Sequence, residues 1–319
     1  MILDEPRRID FSFKGNGGQL LGMYIVNILL MGVTLGLYYP WAKAKVLRYM
    51  HSETELEGER FVFHGTGQEL FIGFLKFIGI VAALMAMMVL APYLLGAFGA
   101  VIAMVLYLGA ILVGVPYAVH GSMRYNTSRT SWNEVHFGYR GELWPFVQKF
   151  VGGQLLTMIT IGIYGSWFVQ DVRKYIINHL RFGDITFKYE GKGMDFFLLN
   201  LKGIVLTICT LGIYIFWYSK DLFQYQLDNT YANQKGNDIK FSTTVTGVDL
   251  LVHGLTNALL IVFTLGLGMP WAQVRTLRFV YSHIVIEGNF NPEKLRDTEA
   301  EYREALGEDM ADAMDVSVF

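Results

Sequence analysis

The sequence predicts a mostly α, polytopic membrane protein built from five tandem repeats of a short β-strand, an apolar membrane helix and a basic amphipathic helix. Three observations lead there: an apolar composition, a set of long apolar stretches, and a motif that returns along the chain at fixed spacing. Of 319 residues, 53% are hydrophobic and only 17% charged, whereas soluble domains carry about 25% charged residues. The formal net charge of -2 gives no bulk attraction for nucleic acid. A lone cysteine, Cys209, makes no internal disulfide and cannot by itself build a zinc site. The opening residues lack a signal-peptide core, so targeting would fall to the first apolar segment.

Crossing a bilayer core takes about 20 mostly apolar residues in a helix. Six stretches approach this: Gln19–Trp41, Leu70–Ala91, Leu94–Val119, Val147–Phe168, Phe196–Tyr218 and Leu250–Trp271. The second and third are the clearest, with no charged residue from Val81 to Val119 and Pro92 at their junction.

The recurring unit opens with an alternating, strand-like run that ends in glycines: FSFKGNG from Phe11, FVFHGTG from Phe61, VHFGYRG from Val135, ITFKYEGKG from Ile185 and IKFSTTVTG from Ile239. Period-two alternation marks a half-buried strand, and the glycines break it before a helix begins. An apolar stretch follows, and near its end comes a short Thr-x-Gly motif with a tryptophan beyond it. These are Thr34, Gly36 and Trp41; Thr160, Gly162 and Trp167; Thr210, Gly212 and Trp217; and Thr264, Gly266 and Trp271. The second copy lacks the Thr-x-Gly motif but keeps its later register, with Pro116 and Arg124 spaced like Pro40 and Arg48. A basic, aromatic element closes each unit, and the tryptophan sits where an interfacial anchor would. The units run over residues 10–58, 59–132, 133–183, 184–237 and 238–290, followed by an acidic tail at 291–319 that reads as a short helix fraying into disorder.

These strand, Thr-x-Gly and Arg-Tyr elements resemble the YjgN-like bacterial inner-membrane proteins, a family of unknown function. The resemblance covers nearly everything from Phe11 to Asn289. It departs in copy two, which lacks Thr-x-Gly, and in copy five, where Gly268 replaces the motif tyrosine. It implies a multi-pass inner-membrane protein and carries over no activity, cofactor or catalytic residue.

Two topologies are open. In one, six single crossings alternate in orientation, as inverted repeats do in transporters. In the other, each copy is a hairpin that enters, turns at Thr-Leu-Gly and returns along its basic helix, leaving every strand on the cytoplasmic side. The second keeps basic segments inside, but it leaves little apolar helix between Thr34 and Trp41. Both termini are expected in the cytoplasm.

Candidate intramembrane polar positions are Lys76 and Lys202, at matching places in their units, and Asn27 and Asn257, at the next place along. An ionisable residue in a membrane is a functional candidate, although a lysine stem can also reach the headgroups. Asparagines there line a polar path or bond between helices. The seven histidines show no metal-binding spacing, and no nucleophile motif, phosphate loop or C-x-x-C occurs. No enzyme and no cofactor is therefore expected. The bilayer, including anionic headgroups, is the expected partner. Two functions remain: a transporter or channel for a small solute, ion or lipid, and a membrane scaffold that binds proteins or anionic lipids.

Overall fold

In the computed structural model, which describes residues 7–299, the strands are the organising feature. Eleven of them form one antiparallel sheet in the order β1-β11-β10-β9-β8-β7-β6-β5-β4-β3-β2. Its two edge strands, β1 (Arg7–Ile9) and β2 (Phe11–Phe13), are consecutive in the chain. β1 pairs with β11 (Ile284–Gly288) and β2 with β3 (Thr54–Leu56), so one short stretch of chain reaches both edges and rolls the sheet into a nearly closed cylinder. Asp10, between them, is clipped to the first tight turn: its N–H donates to Glu57 Oε1 (2.7 Å), and the Glu57 N–H donates to its carbonyl (2.8 Å).

All tight turns lie at one end of the cylinder and all helices at the other. Three turns carry two residues in the left-handed region, Glu57-Gly58, Asn133-Glu134 and Lys235-Gly236. This is the geometry that fits the twist of antiparallel strands. They join β3 to β4 (Glu59–Phe63), β5 (Thr130–Trp132) to β6 (Val135–Tyr139), and β9 (Thr230–Gln234) to β10 (Asn237–Thr243). Gly183-Asp184 joins β7 (Leu180–Phe182) to β8 (Ile185–Tyr189).

At the helical end, α1 (Gly17–Val33) turns into α2 (Tyr39–Ser52), α4 (Leu143–Ile159) into α5 (Gly165–His179), α6 (Gly193–Cys209) into α7 (Ile215–Asp228), and α8 (Gly247–Phe263) into α9 (Met269–His283). The remaining connection is α3 (Gly67–Ser128), 62 residues long and broken by left-handed backbone at Gly96. Each helix contacts the next, and α9 contacts α1, which closes a ring above the cylinder.

This corrects the expected fold class. The chain is not a mostly α polytopic membrane protein with strands as accessories. Eleven strands share one sheet across every expected unit boundary, so the five copies do not stand as separate units. Four of the apolar stretches are not continuous helices, because Thr34–Tyr38 and the corresponding segments break them. Among the described residues only α3 is long and apolar enough to cross a membrane, and the apolar helices α1 and α8 have 17 residues each.

The glycine pairs after the strands have a packing reason. A Cβ on Gly15 would lie 2.5 Å from the Phe13 ring, and one on Gly65 2.5 Å from the Phe63 ring. The strand's last aromatic thus folds back under the first glycine. A Cβ on the second glycine would strike a tryptophan of the preceding hairpin: Trp271 at Gly17, Trp41 at Gly67, Trp167 at Gly193 and Trp217 at Gly247. The tryptophans expected as interfacial anchors pack into four of the five junctions between neighbouring hairpins, the exception being α3 to α4, where Leu143 stands in the glycine's place. Because the ring is filled at these points, Gly193→Val is expected to lower stability by about 1–3 kcal/mol through overpacking, read as a lower melting temperature in detergent. Gly22→Ala, where nothing lies within 4 Å, is expected to be neutral or stabilising by up to about 1 kcal/mol.

Candidate functional site

The interior of the cylinder is apolar. Each strand that opens a sequence unit sends one phenylalanine inward: Phe11 from β2, Phe61 from β4, Phe137 from β6, Phe187 from β8 and Phe241 from β10. Around them Trp132, Phe182, Ile185, Ala232, Ile239 and Ile286 form the buried core of the sheet. The phenylalanines do not fill the space between them. A cavity of about 230 Å³ remains, lined only by apolar residues, with Leu227 at the foot of α7 and Phe290 beyond β11. Phe137 stacks on Phe182 at 4.2 Å, and Phe290 meets Trp132 at 5.9 Å. Most alternate positions are polar and lie partly or fully exposed on the outside, among them Ser12, His136, Lys188, Lys240 and Glu287, with Val62 of β4 an exposed apolar exception. The sheet is thus polar outside and apolar inside, with room left within.

The described end of the chain crosses the outer face. The Arg140 guanidinium donates to Glu299 Oε1 from Nη2 (2.9 Å) and Nε (3.1 Å), and from Nη2 to the Thr298 carbonyl (3.2 Å). Thr298 Oγ1 donates to the Gly183 carbonyl (2.6 Å), and His136 Nδ1 lies 2.7 Å from Asp297 Oδ2. Glu299 lies against Gly138, where any Cβ would strike its carboxylate. Burial acts to raise the Asp297 pKa, but the hydrogen bond from His136 and those to backbone N–H groups outweigh it and hold it below the usual carboxylate value. The acidic tail expected to fray thus has residues 291–299 laid on the sheet, while 300–319 lie outside the described residues.

The four intramembrane candidates stand on different helices. Lys76 is exposed on α3. Lys202, on α6, has a 63% exposed side chain and pairs with Asp221 of α7 at 3.9 Å. Asn27 is buried on α1, and its Oδ1 has no hydrogen-bond partner among the described residues. Asn257 is buried on α8, with Nδ2 2.9 Å from His253 Nε2 and donating to Thr276 Oγ1 of α9 (3.1 Å). No cluster of three or more His, Cys, Asp or Glu suited to a metal is found among the described residues.

The turn motif is a hydrogen-bond device. Thr34 Oγ1 donates to the Leu30 carbonyl (2.7 Å) and accepts from the Tyr38 N–H (3.0 Å), so one hydroxyl serves the end of α1 and the start of α2. Thr160, Thr210 and Thr264 do the same. Gly36, Gly162, Gly212 and Gly266 sit at φ of 88–94° and return their N–H to the helix just ended, Gly36 to the Met31 carbonyl at 2.8 Å.

With this geometry established, comparison places the chain. It belongs to a family described as bacterial proteins of unknown function (DUF898). That family matches residues 8–204 and 218–313. Inner membrane protein YjgN of Salmonella typhimurium is 32% identical over 130 residues, 40% of this chain and 30% of that protein. Its namesake in Escherichia coli O157:H7 is 33% identical over 137 residues, 43% of this chain and 32% of that protein. The matched stretch spans about a third of the length of these curated relatives. No solved structure matches the chain. The YjgN-like resemblance is thereby confirmed, and a bacterial inner-membrane location is supported.

Sequence reading missed the cavity. Its signal was present, because four of the inward phenylalanines stand four residues before a glycine and Phe241 stands six before Gly247, but only closure of the sheet turns five strands into one chamber. The strap across β6 and β7 is directly testable. Arg140→Ala is expected to raise deuterium uptake in residues 291–299 about tenfold at pH 7, as loss of a charge-assisted contact worth about 1.5–3 kcal/mol implies. Because the Asp297 carboxyl is depressed in the folded state, its contribution is complete above the ordinary value of about 3.9. It fades as pH falls through the lower folded value. Asp297→Asn is expected to abolish that acid-side release, measured by the same exchange.

Proposed function

We propose that this chain is an inner-membrane carrier for an apolar or amphiphilic molecule, with a lipid acyl chain as the natural occupant of the sheet cavity. The observation behind this reading is that five strands each place a phenylalanine around one wholly apolar space that they leave unfilled. A cavity with no polar group gives a charged or hydrated solute nothing to bind, and it suits an alkyl chain. The bilayer supplies such chains beside the ring of helices. The basic residues cluster near the cylinder end of the helices, which favours a cytoplasmic cylinder.

The scaffold reading draws less support. The acidic segment that would reach for partners is engaged through residue 299 by Arg140 and His136 of its own sheet.

The cavity is the place to test the proposal. Detergent-purified protein is expected to bind a fluorescent fatty acid. Ala232→Phe, which fills the cavity from β9, is expected to weaken that binding at least tenfold. Lys240→Ala, on the outer face of β10, should leave it unchanged. Absence of binding by the unsubstituted protein, with the fold intact by circular dichroism, would refute the carrier reading.

A further inference from the structure

We infer that four of the five hairpins enter only one leaflet of the bilayer, while α3 alone spans it. The inference stands on the helices and does not depend on what the cavity holds.

The four hairpin tips are built for hydrocarbon. Leu35, Ile161, Leu211 and Leu265 crown them with 94%, 93%, 95% and 95% of their surface exposed. Each takes the left-handed conformation, at φ of 50–51°, where glycine or asparagine is the usual choice in water. The next side chains down are also apolar and exposed, among them Val33, Ile159, Ile208 and Phe263. The threonine hydroxyl and glycine N–H satisfy backbone groups that water would otherwise serve, as any segment in hydrocarbon requires.

The depth follows from where the charges begin. Along the returning helices the first charged residues are Lys43, Asp171, Lys220 and Arg275, eight to ten residues beyond their tips. On the entering side Lys202 stands nine residues before Leu211, and it pairs with Asp221 across the same hairpin. Eight to ten residues amount to about 12–15 Å of helix, and tilt only shortens the reach. The hydrocarbon core is about 30 Å thick. These hairpins therefore end near the middle of the bilayer, with a rim of charge at the headgroups of the leaflet they enter.

The long hairpin differs in the same measure. Lys76 stands twenty residues before the reversal at Gly96, about 30 Å of helix. No Asp, Glu, Lys or Arg follows until Arg124. Its tip carries Tyr93, 85% exposed, a residue type enriched at membrane–water interfaces. Lys76 and Lys202 each stand nine residues beyond the glycine that starts their helix. They mark one interface, at which α6 is halfway to its tip and α3 less than a third of the way to its own.

The natural thiol at the end of α6, Cys209, is a probe already in place. In spheroplasts and in inside-out vesicles, Cys209 and a Leu265→Cys substitution in a Cys209→Ser background are expected to resist an impermeant maleimide from both sides. A fluorophore attached to either in reconstituted bilayers should be quenched at least twofold more by lipids brominated near the chain ends than by lipids brominated near the headgroup. Tyr93→Cys in the same background is expected to react from the periplasmic side only. Reaction of either tip thiol from the periplasm would mean full crossings, and reaction from the cytoplasm would mean no insertion. Strongest quenching near the headgroup, or a Tyr93→Cys thiol unreactive from outside, would likewise overturn the inference.

Discussion

Everything in this structure depends on one short run of backbone pairing at the seam of the sheet. Residues Arg7–Phe13 bond on one side to the last strand and on the other to the strand after the first hairpin. Without that bridge the sheet has two open edges, a state proteins avoid because unpaired strand edges recruit other chains. With it, α9 is carried round to α1. There the Arg278 guanidinium donates to the Gly15 carbonyl at 2.6 Å, as Arg48 does to Gly65 at 3.1 Å. The ring of helices is a consequence of the cylinder, since each hairpin rises from a neighbouring pair of strands.

The cylinder and the ring divide the work between solvents. The sheet satisfies its backbone laterally, shows polar residues to water and keeps its apolar face inward. The hairpins reverse this and show apolar residues outward while the backbone groups at their tips are met internally. The foot of α7 joins the two worlds, because Leu227 lines the cavity while its helix belongs to the ring. On the carrier reading, an acyl chain drawn from the leaflet would pass the rim of charge on these helices to reach the cavity.

Much of this was legible in the sequence, though with the emphasis inverted. The alternating runs from Phe11, Phe61, Val135, Ile185 and Ile239 are strands, and the Thr-x-Gly motifs are turns. Period and turn chemistry are local, so they can be read locally. The apolar stretches left both single crossings and hairpins open because hydropathy counts residues without regard to direction. Gln19–Trp41 is as apolar as a crossing helix, yet it folds back on itself at Leu35 and Gly36. The cavity was out of reach for a different reason. Phe11 and Phe241 line the same space from opposite ends of the chain, and nothing in either neighbourhood announces the other. The strap was hidden by composition, because an acidic run reads as solvated until Arg140 and His136 are seen waiting for it.

The position of the seam also fixes an order of events. The strand that completes the cylinder on one side lies near residue 9, and its partner near residue 286. A ribosome must therefore deliver almost the whole chain before the two can meet, and pairing across such a sequence separation is intrinsically slow. Until then the apolar trough lies open along its length. On the carrier reading, a molecule bound in that interval would be enclosed by the closing strand.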